Sequence, residues 1–293
     1  MQIVKTPESA RAAARALPRP LGFVPTMGAL HAGHFFLFSR ALRENASLAV
    51  SLFVNPLQFG PNEDFARYPR SFESDAAECA SIGVDLLYAP PVEAMYPAGF
   101  STTVDPGPVG APYEGAARLG HFAGVATVVA KLLASVEPTR LYLGQKDAQQ
   151  IAVLRRMIRD LDIPTEVVVC DTMREGDGLA LSSRNAYLNA EERQAAPTLY
   201  LALEEVANGF ARGRSTEPAL ASGRGLLQAP LQWEYLAVVD PATFEVRRTW
   251  EHAALVVGAV RARSTRLIDN YAVKLADGTD SLVTRPLETV RIV

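Results

Sequence analysis

Two imidazoles and two glycines crowd into one short run, Pro25-Thr26-Met27-Gly28-Ala29-Leu30-His31-Ala32-Gly33-His34. The run follows the apolar Leu21-Gly22-Phe23-Val24 and precedes a helical pattern over 35–43, so the spacing predicts a strand giving way to a helix here. A helix N-terminus offers N–H groups without helical partners and the positive end of the dipole, and both attract anions. His31 and His34, three apart, share a helical face, and Gly33 lets a backbone or ligand approach without a Cβ clash. The pair can grip a phosphate chain, which indicates nucleotidyl transfer without specifying a substrate. Two histidines on such a turn can also be plain helix caps. That two of the chain's four histidines flank one glycine favours the phosphate reading.

Other clusters follow strands in the same way. Val54-Asn55-Pro56-Leu57-Gln58-Phe59 sets the amides of Asn55 and Gln58 after an apolar run, where they suit a hydroxyl or a carboxylate; Asn-Pro is equally a turn former. Leu143-Gly144-Gln145-Lys146-Asp147-Ala148-Gln149-Gln150 enters a helix through glycine. Its Lys146 can neutralise phosphate oxygens, since a cation at a helix N-terminus is unfavourable unless an anion compensates. In the run from Gly176 to Asn185, Ser182 and Ser183 stand beside Arg184, a group able to clamp a leaving pyrophosphate or to form an ordinary surface loop. His121 with Arg118 borders a pocket or fills a core or capping role. Asp64, Asp75 and Glu78 are carboxylates that could hold a hard cation directly or through water, although a solvated helix face is the favoured reading.

Strand patterns at 1–4, 21–24, 48–54, 84–88, 140–143 and 166–170 alternate with helical ones at 7–16, 35–43, 72–82, 124–136 and 147–160. Such alternation predicts a parallel sheet covered on both faces, with ligands at the carboxyl ends of the strands, over residues 1–172. The proline- and glycine-rich stretch 105–112 is a loop, either a flap or plain surface. Beyond Thr172, Ala-rich helices at 190–213 and 217–227 precede strands at 233–239, 253–260 and 266–275, a smaller α+β domain over 173–293. Asp277-Gly278 signals a hairpin that would pair 281–284 back onto it. At 293 residues, 48% hydrophobic, 21% charged and net charge −3, the composition is that of a soluble globular protein with no electrostatic drive toward nucleic acid or membrane. Cys79 and Cys170 lack metal-ligand spacing and suit a reducing compartment. No stretch nears the ~18 apolar residues of a membrane span, and no leader pattern is visible, so a cytoplasmic location is expected.

Taken together and in order, the blocks at 25–34, 53–59, 68–70, 120–133, 144–150, 174–185, 235–240 and 265–270 resemble the pantoate–β-alanine ligase family of His-x-Gly-His nucleotidyltransferases, over nearly the whole chain. The resemblance implies a Rossmann-like, doubly wound first domain and a smaller α+β lid that closes over ATP. It implies ATP-dependent condensation of (R)-pantoate with β-alanine to pantothenate, AMP and diphosphate through a pantoyl adenylate, a step of coenzyme A precursor synthesis. The enzyme would be a cytoplasmic homodimer requiring Mg2+. Carried over by motif, Met27, Gly28, Ala29, Leu30, His31, Ala32, Gly33 and His34 would contact ATP, with His34 the proton donor. Gly144, Gln145, Lys146, Asp147, Met173, Leu181, Ser182, Ser183 and Arg184 would complete the nucleotide site. His31, Lys146 and Arg184 would join His34 in compensating transition-state charge. Gln58 and Gln150 would hold pantoate, Gln58 also lying near β-alanine, with Asn55 a further substrate amide; Asp75 and Glu78 would be the magnesium acids. Ala32, Gln145 and Leu181 stand where an acid, glutamate and methionine are common in the family, and none of these changes removes a group the chemistry needs.

Three rival readings compete with this one. A transferase acting on a phosphate acceptor would be expected to show more arginine near Gln58 and Gln150. A class I aminoacyl-tRNA synthetase would need an anticodon domain and a basic face. A catalytically dead nucleotide-binding protein would not need to keep every phosphate-handling side chain.

Overall fold

Thr6 starts the first helix by accepting the N–H of Ser9 at 3.2 Å, and Ser9 returns the bond to the N–H of Thr6 at 3.1 Å, a reciprocal cap written in the local sequence. The computed structural model describes residues 1–61, 63, 65–213, 215–248, 253–263 and 265–273. Its first half runs β1 (Gln2–Val4), α1 (Pro7–Ala16), β2 (Leu21–Thr26), α2 (Ala32–Glu44), β3 (Ser47–Leu52), α3 (Phe72–Ile82), β4 (Leu86–Tyr88), two single-turn helices α4 (Val92–Met95) and α5 (Glu114–Ala117), then α6 (His121–Val136), β5 (Arg140–Gly144), α7 (Ala148–Asp160) and β6 (Glu166–Cys170). The strands form one six-stranded sheet in the order β1-β4-β3-β2-β5-β6. The pairings β1–β4, β4–β3, β3–β2 and β2–β5 are all parallel, with Leu21 opposite Ser47 and Thr26 opposite Leu52.

Successive residues Phe23 and Val24 of β2, and Leu48, Ala49 and Val50 of β3, are fully buried. Side chains on both faces of these strands are therefore covered, as in a doubly wound parallel sheet. Chain order reverses between β2 and β5, the switch point at which such sheets bind ligands. Residues 27–31 leave the carboxyl end of β2 there. The Pro/Gly-rich loop is partly ordered by a 3₁₀ turn, Gly107–Gly110, with Val109 buried.

The second half contains α8 (Ala190–Ala195), α9 (Thr198–Ala211), α10 (Thr216–Arg224), β7 (Gln232–Val239), β8 (Ala254–Ala262) and β9 (Thr265–Val273). The sequence suggested one helix over 190–213; there are two. Pro197 has no N–H to continue the first, and it instead stands as the N-cap of α9. Strands β7, β8 and β9 form an antiparallel sheet, with Val238 opposite Val256 and Val260 opposite Leu267. Leu199, Leu203, Val206 and Phe210 of α9 share one core with Leu236, Val238, Val256 and Leu267 of this sheet. Contacts divide the chain into two compact units, Met1–Leu143 with Val153–Val169, and Gly144–Ala152 with Cys170–Val293. No helix among the described residues is long and apolar enough to cross a membrane. Asp64 and the hairpin expected at Asp277-Gly278 and 281–284 lie outside the described residues.

Candidate active site

The first unit carries the histidine motif as a tightly tied turn. At the end of β2, Thr26 Oγ1 donates to the carbonyl of Ser51 at 2.9 Å and accepts the N–H of Gly28 at 3.2 Å. Gly28 (φ 84°) and Ala29 (φ 53°) both take the left-handed conformation, which reverses the chain before α2. His31 is the N-cap of α2 and its Nδ1 accepts the N–H of Gly33 at 3.2 Å; Nδ1 of His34 accepts the N–H of His31 at 3.3 Å. The two rings lie 4.2 Å apart, centroid to centroid.

This reciprocal cap makes both histidines part of the helix start. Both histidines do cap the helix, and they do so through Nδ1, which must therefore hold a lone pair; in the neutral ring the proton sits on Nε2. The turn thereby sets two N–H dipoles of defined tautomer at the start of a helix whose first turn contains no acid, because Ala32 occupies its first position. An anion there meets the helix dipole without competition from an acid of the helix's own first turn.

Asp75 is not on a solvated face, as the sequence suggested. It is 4% exposed, and its Oδ2 accepts the N–H of Ala29 at 2.9 Å and the hydroxyl of Ser71 at 3.1 Å, while Oδ1 accepts the N–H of Leu30 at 3.0 Å. Two consequences follow for the expected site. The N–H groups of Ala29 and Leu30 are occupied within the protein, so the nucleotide contacts expected of these two residues are not N–H donation. The carboxylate that was to ligate magnesium is satisfied by protein donors, and Glu78 is exposed on the same helix. Among the described residues no group of three or more His, Cys, Asp or Glu side chains could hold a metal ion. The donor set thus does not fit a resident magnesium cage. Magnesium commonly binds through substrate phosphates and retained water rather than through such a cage.

Gln58 is set by its neighbours. Asn55 caps the 3₁₀ turn Pro56–Gln58, its Oδ1 accepting the Leu57 N–H at 3.3 Å and the Tyr96 hydroxyl at 2.7 Å. Its Nδ2 donates to Gln58 Oε1 at 3.0 Å and to the Gly124 carbonyl at 3.1 Å. Asn55 is 1% exposed with both N–H groups of its amide and both lone pairs of its oxygen engaged, so it does not present that amide to a substrate; it orients the half-buried Gln58, whose amide keeps one donor and one acceptor position. Gln58 Nε2 in turn donates to Met27 Sδ at 3.1 Å, joining the amide to the histidine turn.

The carbonyl of Gln58 is held from the other side by residues of which only Arg118 and His121 had been noticed. Glu63 pairs with Arg118 through Nε at 2.8 Å and Nη2 at 2.6 Å. Arg118 Nη1 lies 2.9 Å from His121 Nε2, and since guanidinium only donates, His121 carries its proton on Nδ1 and gives it to the Gln58 carbonyl at 2.8 Å. Burial first, then the positive charge of Arg118, pushes the His121 imidazole down to about 4. Burial alone would raise the Glu63 carboxyl, but the bonds and charge of Arg118 outweigh it and leave the group below its usual value. His121 is thus a neutral buried strut.

In the second unit the segment after β5 is anchored by Asn270 of β9. Asn270 Nδ2 donates to the carbonyls of Gln145 at 2.9 Å and Lys146 at 3.0 Å, and its Oδ1 accepts from Gln145 Nε2 at 3.3 Å. Gln145 is buried and Lys146 half-buried beside the exposed Asp147; Gly144 enters the turn, and Gln150 stands half-buried in the first turn of α7. Elsewhere in this unit Leu181 N–H donates to the carbonyl of the exposed Met173 at 2.9 Å, and Ser182 caps the 3₁₀ turn Ser183–Tyr187 by accepting the N–H of Arg184 at 3.3 Å. The preceding stretch is braced by Arg174, which donates to the Gly178 carbonyl at 3.0 Å, pairs with buried Asp269 at 2.5 and 3.0 Å and stacks 4.0 Å from the centre of the Tyr200 ring. Sequence reasoning gave Arg174 and Asp269 no role of their own, because their pairing spans 95 residues of chain.

The chain is similar to known proteins along most of its length. The family described as pantoate-beta-alanine ligase matches residues 2–272. A pantothenate synthetase from Herpetosiphon aurantiacus is 51% identical over 274 residues, 92% of this chain and 99% of that protein. One from Thermus thermophilus is 52% identical over 277 residues, 93% of this chain and 99% of its own length. A crystal structure of pantothenate synthetase from Thermus thermophilus matches with a TM-score of 0.87 at 52% identity, over 92% of this chain and 98% of that one. A pantoate-beta-alanine ligase from Francisella tularensis, crystallised with β,γ-ATP and β-alanine, matches with a TM-score of 0.75 at 33% identity, over 92% and 97% of the two chains.

Proposed function

Because this chain belongs to the pantoate–β-alanine ligase family, we propose that it condenses (R)-pantoate with β-alanine at the expense of ATP and that the paired histidines act on the nucleotide phosphates. A carboxylate and an amine do not condense readily in water, so the acid is first converted to a mixed anhydride. The pantoate carboxylate attacks the α-phosphorus of ATP and diphosphate leaves. The β-alanine amine then attacks the acyl carbon, and AMP leaves with the former carboxylate oxygen.

The observation that carries the reading is the reciprocal cap, which fixes His31 and His34 as Nε2–H donors at a helix N-terminus. Preorganised donors of this kind stabilise charge that develops on the α-phosphate and on departing diphosphate. His34 acts there as a hydrogen-bond donor through Nε2–H and keeps its proton, since its Nδ1 lone pair is already taken by the His31 N–H. Lys146 and Arg184 supply the compensating cations. Gln58, with its carbonyl and side chain both fixed, holds the pantoate hydroxyl or carboxylate and lies near the amine of β-alanine, and Gln150 adds a second amide to pantoate. Magnesium travels with the nucleotide phosphates, and no step is assigned to a protein-bound ion. A cytoplasmic homodimer completes the proposal on family resemblance alone.

Pantoate labelled with 18O in its carboxylate tests the reaction. One labelled oxygen should appear in AMP; label in inorganic phosphate together with ADP would replace the adenylate with an acyl phosphate.

A further inference from the structure

We propose that Asp75 is a positioning residue for nucleotide binding: its carboxylate is a resident anion that folds residues 28–30 into the turn that aims His31 and His34. The proposal rests on the reading of this turn as the phosphate site.

Left-handed backbone at Gly28 carries no steric penalty, but at Ala29 it does, and such a conformation persists only where its surroundings over-determine it. The described contacts supply that determination. Successive N–H groups of Ala29 and Leu30 point into one concavity, the kind of backbone nest that takes an anion, and it is filled from α3 by Asp75 at 2.9 and 3.0 Å. The carboxylate is itself fixed by the Ser71 hydroxyl at 3.1 Å, while the Asp75 N–H donates to the Ser71 carbonyl at 2.8 Å. Gly28 serves the same contact, since a Cβ on it would lie 2.9 Å from Asp75 Oδ2. The cap joining His31 to His34 begins at the residue after Leu30, so loss of the clamp frees the segment that orients both rings.

Asp75→Asn in the full-length chain keeps one acceptor oxygen and turns the other into a donor facing an N–H. Hydrogen exchange should show residues 28–31 losing protection, calorimetry should show ATP affinity falling about tenfold or more, and the magnesium concentration for half-maximal activity should stay at its parental value. Ser71→Ala, which spares both N–H bonds, should shift exchange and affinity in the same direction by less, and it serves if Asp75→Asn fails to fold. Parental exchange and parental ATP affinity in both variants would overturn the proposal. A raised magnesium requirement with unchanged exchange would make Asp75 a metal ligand instead. Lost protection with parental ATP affinity would refute the phosphate reading of the turn itself, and the positioning role with it.

Discussion

The backbone N–H of His31 donates to Nδ1 of His34 at 3.3 Å, so the residue proposed to act on phosphate is also the residue that closes the helix cap. The two roles use different ring atoms and can be separated. Gln at this third helical position can still reach back to the cap N–H but lacks the imidazole Nε2–H. His34→Gln should therefore keep parental stability within about 0.5 kcal/mol while kcat falls about a hundredfold. His34→Ala should lose the same activity and about 1 kcal/mol of stability as well. Chemical denaturation beside steady-state kinetics checks both; equal stability losses in the two variants would contradict the division of roles.

Gly33 leaves room for the His31 ring. A Cβ there would stand 3.0 Å from Cε1 and 3.1 Å from Nδ1 of His31. Gly33→Ala should gain helix propensity, up to about 1 kcal/mol, yet weaken kcat/KM for ATP by about tenfold to a hundredfold as the ring is displaced. A variant both more stable and fully active would show that ring position is unimportant.

Gly124 does the corresponding work for Gln58. A Cβ on it would fall 2.3 Å from the Leu57 carbonyl oxygen and 2.7 Å from the Gln58 N, both backbone atoms that cannot step aside alone. Gly124→Ala should cost about 1–3 kcal/mol of stability, as overpacking does, and raise the KM for pantoate more than that for ATP. Equal changes in the two KM values would argue against Gln58 as the pantoate residue.

His121 gives the fold a pH dependence with a definite sign. The unfolded chain takes up this proton near 6.5 and the folded chain only near 4, so between these values the unfolded state binds more protons and stability rises with pH. The contribution is present in full above pH 6.5 and is lost as pH falls toward 4, with a slope of at most about 1.4 kcal/mol per pH unit. Urea unfolding of the parent and of His121→Asn at pH 5 and 6.5 should give a smaller difference between the two pH values for the variant. Working above pH 4.5 keeps the lowered carboxyls of Glu44 and Glu63 out of the comparison. The same difference in both proteins would contradict the neutral buried strut.

Local chemistry was legible in the sequence where it depended on neighbours along the chain. The strand-to-helix step at Gly28 to His34 was legible because glycine, histidine and the flanking periodicities are all local signals, and Phe72–Ile82 and Glu166–Cys170 fall at their expected bounds. Roles set across the chain were not legible. Asp75 meets Ala29 from 46 residues away, Glu63 meets Arg118 from 55, and Asn270 meets Gln145 from 125. Asn55 looked like a substrate amide because its spacing from Gln58 says nothing of its burial. The break at Pro197 was overlooked because the alanine-rich helical pattern resumes directly after it.

The central claim is that ATP is attacked at its α-phosphorus by pantoate before any amine is needed. Exchange of labelled diphosphate into ATP, with magnesium and pantoate present and β-alanine omitted, tests it most directly. The account predicts exchange that requires pantoate and falls about a hundredfold in His34→Gln. Exchange that proceeds without pantoate, or none at all in folded protein that binds both ATP and pantoate, would contradict it.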